Sequence, residues 1–357
     1  MKPYSRISNK KLLYIGKAFG LLYSHGKLWT CDQNCQNEDL VGKLPNEKMQ
    51  PLMKLSLTER LLRCNPRCAV RVSEKELIIS CCGMVYLVDL GRKTICAEHR
   101  FRSGMRNALS FCRIEGVPGF DPCVAYGEYW RNPSAEEVCI YCRSGGHWRK
   151  VYAFPRGSAS HIHGFCPDPE HKRVLILTGD SDMESGIWEA YDNFNTVMPV
   201  KVGSQKYRAC AAFAFGEQIL YATDSVIDNN ALNLLNVDGS IQKISDMPGP
   251  CIYASEFLGI DGQRQFAFAT SVEPDSRING IRYMLTRRLA SGVRSRHSYL
   301  IIGDPVKGFR TVLRLKKDIL PMGLFEFGNI IFPDNELGTL MFLPRSLKGG
   351  CGTFTVL

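Results

Sequence analysis

Residues 161–204 read HIHGFCPDPEHKRVLILTGDSDMESGIWEAYDNFNTVMPVKVGS, and four short strand-like runs can be cut from them. HIHGFCPDP, KRVLILTGD, SGIWEAYD and TVMPVKVGS are each apolar or alternating, and turn residues divide them. The second holds the fully apolar Val174-Leu175-Ile176-Leu177 and ends in the polar cluster Thr178-Gly179-Asp180. No helix follows these strands, as a parallel α/β fold would require.

The same grouping recurs on both sides. CAVRVSE, ELIISCCG, MVYLVDLG and TICAEHRF form one set, and NALSFCRIE, PCVAYGEYW, EEVCIYCRS and HWRKVYAFP the next. YRACAAFAF, QILYATDS, NALNLLNVD and SIQKISDMP follow, then a set opening on CIYASEFLG and QFAFATSVE. The period is roughly 40 to 48 residues with four strands in each unit, which is the pattern of a propeller blade. The reading is all-β: a single β-propeller over residues 1–357 with four-stranded antiparallel blades. Seven blades are favoured and six are the alternative.

The last set, FEFGNIIFP, GTLMFLPRS and GTFTVL, lacks a fourth strand. An amino-terminal strand such as Leu12–Ile15 is expected to supply it and close the ring. Residues 32–64 read as an inserted loop and a helix at Leu52–Arg63, the one short helical insertion, with apolar residues at helical spacing. Residues 275–317 are long and arginine-rich, and read as an elaborated basic blade edge that charge keeps from pairing with other chains.

Composition agrees with many short strands and tight turns: 357 residues, 45% hydrophobic, 22% charged, 32 Gly and 18 Pro. The net charge of +10 fits an ordinary solvated surface or a field that draws in an anionic ligand. Aromatic residues are sparse in the arginine-rich stretch, which argues against a nucleic-acid surface. The first residues lack the apolar stretch of a signal peptide, and no run is long enough to span a bilayer. Neither a membrane partner nor export by signal peptide is expected, so the cytoplasm is the default location; export by another route stays open.

Fifteen cysteines sit largely within apolar runs, where thiols behave as small core residues. Cys31, Cys35, Cys64 and Cys68 have a paired spacing that could close a structural metal site, although it departs from the usual zinc knuckle.

In a propeller, residues at the start of each blade's first strand and the end of its second gather at one mouth. Those positions hold His161, His163, Asp180, Gln205, Tyr207, Arg208 and Asp224, with Arg106, Asn107, Tyr126, Glu128, Arg131 and Glu256 from other blades. Strand-end carboxylates often only cap turns. A set of imidazoles, carboxylates, arginines and aromatic rings on successive blades is also what a saccharide site needs.

The units YGEYWRNPSAEEVCIYCRSGGHWRKVYAF, HIHGFCPDPEHKRVLILTGDSDMESGIW and GSQKYRACAAFAFGEQILYATDS resemble bacterial sialidase-like propellers with BNR-type repeats. That family includes propeller polysaccharide lyases and glycoside hydrolases. The family's Asp-box survives only in part: Ser144-Gly145-Gly146-His147-Trp148 lacks the Asp. The resemblance implies a carbohydrate-active enzyme that cleaves an acidic, uronate-containing glycan by β-elimination or hydrolysis.

For elimination, Arg208 and Arg106 would neutralise the uronate, His161 or His163 would take the proton, and Tyr207 would be the partner acid or base. For hydrolysis, the carboxylate pair would come from Glu128, Asp180, Asp224 and Glu256. No cofactor is required by these readings. A divalent metal on His161, His163 and Gln205 is a third reading, and a non-catalytic glycan- or protein-binding propeller is the rival class.

Overall fold

The computed structural model describes residues 4–46, 48–350 and 352–356. The fold is an all-β propeller of seven blades, each built on four antiparallel strands. The described residues include four short helices, none long and apolar enough to cross a membrane. The chain divides into two compact units, residues up to Arg100 with those from Tyr253 onward, and Phe101–Ile252.

Phe101–Ile252 holds the third, fourth and fifth blades, each a simple meander. The third is Cys112–Ile114, Cys123–Gly127, Val138–Ser144 and His147–Phe154. The fourth is His161–Asp168, Arg173–Gly179, Gly186–Tyr191 and Thr196–Val202. The fifth is Ala209–Phe215, Gln218–Thr223, Asn230–Leu235 and Ile241–Met247.

The apolar run Val174–Leu177 shows why these sheets stack. Successive strand residues point to opposite faces. Val174 and Ile176 pack with Ile114, Val138, Ile140 and Phe154 of the third blade. Leu175 and Leu177 pack with Ala209, Ile219, Tyr221 and Leu235 of the fifth. All four residues are fully buried, each stabilising the fold by roughly 1.5–3 kcal/mol. The outermost strand of the fourth blade, Thr196–Val202, is mostly exposed.

The other unit holds four sheets. The last of them takes Tyr4–Ser8 as its outer strand, antiparallel to Thr353–Val356. Leu12–Ile15, expected there, instead opens the sheet that runs through Gly20–Ser24, Lys27–Cys31 and Asp39–Lys43. Four consecutive buried residues in Leu12–Ile15 suit an interior strand, whereas Tyr4–Ser8 is half exposed and suits an edge.

The helix expected at Leu52–Arg63 is two helices, Gln50–Met53 and Ser56–Leu62. The second stops where Arg63 adopts the left-handed conformation and its N–H caps Arg60 O. Residues 275–317 divide in two. The first part is a connection with the short helix Gly280–Leu285, and His297–Asp304 and Gly308–Lys316 are ordinary outer strands of the sixth blade.

Candidate functional site

In the fourth blade His161 pairs with Gly179 and Ile162 with Thr178, yet the next paired residue, Gly164, faces Leu177. His163 is therefore the extra residue of a bulge, a device that re-aims a side chain. Its ring lies over Gly179, where a Cβ would come within 2.3 Å of the imidazole. Glycine is needed here for close approach. The next blade has an irregularity at the matching place, between Ala209 and Ala212, and Cys210 falls within it.

The two imidazoles meet one carboxylate. His161 Nε2 lies 3.1 Å from Asp180 Oδ2, off the hydrogen-bonding direction. His163 Nε2 lies 3.3 Å from Oδ1. On their far sides, His163 Nδ1 is 2.9 Å from Ala209 O and His161 Nδ1 is 3.3 Å from Trp130 O. A carbonyl oxygen only accepts, so each Nδ1 carries the hydrogen. In the neutral ring, Nε2 then presents its lone pair to Asp180. Two lone pairs facing a carboxylate repel it unless each ring takes a second proton or a cation lies among them.

Arg208 closes the arrangement. Its guanidinium is 2.8 Å from Asp180 Oδ1 and 3.7 Å from Asp224 Oδ2, and it donates to Asp180 O at 3.1 Å. Burial would raise the Asp180 carboxyl, but with both rings carrying a second proton their hydrogen bonds and charge, together with Arg208, outweigh it and hold Asp180 well below the usual carboxylate range. Asp224 goes the other way. It is buried, Cys210 Sγ donates to its Oδ2 at 3.2 Å, and its Oδ1 has no hydrogen-bond partner among the described residues. Burial raises Asp224 against the opposing charges of Arg208 and His163.

Gln205, expected as a metal ligand, is used at both ends. Its Nε2 donates to Asp180 O at 2.8 Å and its Oε1 accepts from Ser225 Oγ at 2.9 Å. Asn230, fully buried, accepts from the Ser225 N–H at 2.8 Å and so anchors this chain of bonds. Gln205 holds the Asp180 backbone in place.

The remaining expected residues lie elsewhere. Among the described residues, no hydrogen bond or ring contact joins Tyr207 to the imidazoles or Asp180; Tyr129 is the phenol beside them, its ring 4.5 Å from that of His161 and 6.1 Å from that of His163. Tyr126 is a core residue stacked on Tyr141 at 5.2 Å. Glu128 is buried, accepts from the Cys139 N–H at 2.9 Å and lies 3.3 Å from Arg102. Arg106 and Arg131 are exposed, and Asn107 is half-buried. Glu256 belongs to the other unit, where it pairs with Arg264 at 2.7 Å on the surface.

The four cysteines at 31, 35, 64 and 68 form no metal-ligating group among the described residues. Cys31 and Cys35 share one apolar cluster, whereas Cys64 belongs to another. Tyr129, Cys210 and Ser225 were not among the selected site residues. Tyr129 and Ser225 adjoin Glu128 and Asp224, and Cys210 lies two residues beyond Arg208.

Among the described residues, the groupings that could hold a metal ion are His161, His163 and Asp180, and His163, Cys210 and Asp224. The first fits a divalent cation. Its nitrogen and oxygen donors lie 3.1–3.3 Å apart, and each imidazole is fixed from behind by a carbonyl, the usual support of a metal-bound histidine. Two imidazoles and one carboxylate suit first-row divalent ions.

No protein-family model matches the chain, and no curated protein matches it. The likeness is to solved propellers. A structure described as oligogalacturonate lyase in complex with manganese aligns with a TM-score of 0.52 at 9% identity, covering 95% of this chain and 85% of that one. One described as the mitotic checkpoint complex aligns with a TM-score of 0.54 at 8% identity, covering 98% and 87%. At such identities the fold alone is shared, and propellers of this kind serve both as enzymes and as scaffolds. The propeller expected from the sialidase-like resemblance is present; no match ties the chain to that family.

Proposed function

We propose that this protein is a carbohydrate-active enzyme that cleaves an acidic, uronate-containing glycan by β-elimination, at a divalent-cation site formed by His161, His163 and Asp180. The observation that carries the reading is the pair of imidazoles, each with Nδ1 on a carbonyl and Nε2 on one carboxylate. A binding scaffold has no need of such titratable neighbours. Once bound, the cation supplies a Lewis acid that neutralises a substrate carboxylate and so acidifies the adjacent carbon-bound proton.

The chain's own residues take defined parts. His161 and His163 give Nε2 lone pairs, and Asp180 gives a carboxylate that Arg208 orients while Gln205 holds its backbone. Arg208 was expected to meet the uronate, but with Asp180 and Asp224 as partners it acts as a positioning residue. Tyr129, packed on His161, is the group we assign to proton transfer at its phenolic oxygen.

Elimination is favoured over hydrolysis because the candidate carboxylates do not form an open pair. Asp180 and Asp224 share Arg208, and Glu128 is buried against Arg102. A hydrolase would set two carboxylates across an open gap of about 5 to 9.5 Å.

The test uses chelated protein, reloaded with manganese, zinc or calcium, and offered a panel of uronate polysaccharides. Unsaturated product is followed by ultraviolet absorbance, and reducing ends in parallel. Both signals should rise together with a reloaded metal and vanish in His163→Ala. In Tyr129→Phe, kcat should fall about 100-fold or more while metal binding persists. Reducing ends without unsaturated product would replace elimination by hydrolysis. Glycan binding with neither signal would make the protein a scaffold.

A further inference from the structure

The connection between the second and third strands of the sixth blade presents a surface that the site above does not use. Residues 276–296 hold six arginines and no acidic residue. These arginines do not guard a strand edge, because the segment leaves the sheet after Arg264–Thr270 and rejoins it at His297–Asp304.

The segment is fastened at its base. Asp275 is buried and takes the Arg277 guanidinium on both oxygens at 2.8 Å, while its own N–H donates to Arg288 O at 3.1 Å. The helix Gly280–Leu285 lies close against Met322–Phe325, where a Cβ on Gly323 would come within 2.5 Å of Tyr283 O. Its backbone is thus held, while its apolar side chains turn outward. Ile281, Met284 and Leu285 stand at i, i+3 and i+4, the spacing of one helical face, and are 73%, 44% and 56% exposed. An apolar face left open on a fixed element marks a contact surface.

Its electrostatics are one-sided. Asp275 engages Arg277 and Arg288. Arg282, Arg287, Arg294 and Arg296 are exposed, and no ion pair engages them among the described residues. Arginine and apolar side chains meet around a cavity of about 660 Å³, where Arg277 and Arg282 stand with Ile278, Ile281 and Leu285. Its whole lining comes from residues 277–286, so it is one face and not a cleft between two walls. A peptide that docks as a helix or a strand needs a groove or a free edge. An anionic bilayer needs one face, with apolar side chains to sink below the headgroups and cations to stay among the phosphates. Attachment of this kind requires no spanning segment.

We propose that residues 276–296 form a docking surface for an anionic membrane. Ile281, Met284 and Leu285 enter the acyl boundary, and Arg282 and Arg287 meet the lipid phosphates. The net charge of +10 draws the chain toward such a surface before contact. The surface shares no residue with the cation site.

The test is co-sedimentation of the full chain with vesicles of phosphatidylcholine, alone or mixed with phosphatidylglycerol. The anionic vesicles should bind at least about tenfold tighter than the neutral ones, and salt raised to about 0.5 M should release most of the protein. Arg282→Gln/Arg287→Gln should weaken binding about 25-fold, roughly fivefold for each arginine. Ile281→Ser/Leu285→Ser removes no charge and should still weaken it about tenfold or more. Both pairs change exposed side chains, and an unchanged melting temperature checks that the fold is kept. Ile260→Ser, at an exposed apolar residue outside the segment, should leave binding as it was. Equal binding to the two kinds of vesicle, or no binding to either, would overturn the proposal, and that comparison needs no variant. Unchanged binding in either paired variant would also overturn it. Displacement by soluble glycerol phosphate would make the surface a small-anion site. Capture of polyglutamate without anionic vesicles would make its partner an acidic protein. Either result replaces the bilayer.

Discussion

Replacing Arg208 with methionine tests the electrostatic account of the site. The guanidinium is buried and stands between Asp180 and Asp224. Removing one partner of a buried pair costs about 3–5 kcal/mol. The Asp180 share is discounted because 47% of its side chain is exposed, which leaves Asp224 as the main debtor. Asp224 is already raised by burial, so it can escape by taking a proton. The expected loss is about 2–4 kcal/mol near neutral pH. The sign with pH follows. A carboxyl raised in the folded state favours folding fully below its unfolded value, and that help is lost as pH rises through the folded value. Without Arg208 the folded value rises further, so the loss should shrink in mild acid and grow in mild base. Urea titrations at two pH values, with Arg208→Met/Asp224→Asn as the neutral partner, measure this. The double variant should recover most of the loss at the higher pH. An equal loss at both pH values, with no recovery, would refute the reasoning.

Gly179→Ala places a Cβ 2.3 Å from the His163 ring, so that ring must move; metal affinity should fall roughly 10–100-fold with folding retained, read by calorimetric titration. His171 holds the turn of the fourth blade through Asp168 at 2.9 Å and reaches Glu217 at 3.1 Å. The Asp168 bond chiefly raises His171, so its contribution is full below the unfolded histidine value and fades as pH rises through the folded one. His171→Gln should therefore cost about 1 kcal/mol in mild acid and less in mild base, read from denaturation midpoints at each pH.

Much of the fold was legible because each blade writes the same period. Val174–Leu177 shows how: an unbroken apolar run has to be covered on both faces, and stacked blades do that. The outer strand of the last sheet was harder to find. YSRIS carries less apolar signal than KLLYI, since an edge strand needs less. The site was legible where strand ends fix it, at His161, His163, Asp180, Gln205, Arg208 and Asp224. It was obscured where the backbone departs from alternation. Tyr126 and Glu128 lie within or just after a regular strand and turn into the core, whereas Tyr129 follows the strand's end and lies on His161. Cys210 reads as one more core thiol in YRACAAFAF, and only three-dimensional proximity reveals its bond to Asp224. The lone-pair conflict at Asp180 depends on what each Nδ1 faces, which no spacing encodes.

The sheet that joins Tyr4–Ser8 to Thr353–Val356 constrains how the molecule is made. Its ladder is fastened by Thr353, whose hydroxyl accepts from the Leu12 N–H at 3.0 Å and donates to Lys10 O at 2.9 Å across 341 and 343 residues. The meander blades between need only neighbours in sequence and can zip as they leave the ribosome. This one has to wait until Thr353–Val356 has been made, with its first strand already emerged and unpaired. The chain therefore carries an open strand edge for the nearly 350 residues between the two strands, an interval in which non-local pairing is exposed to error.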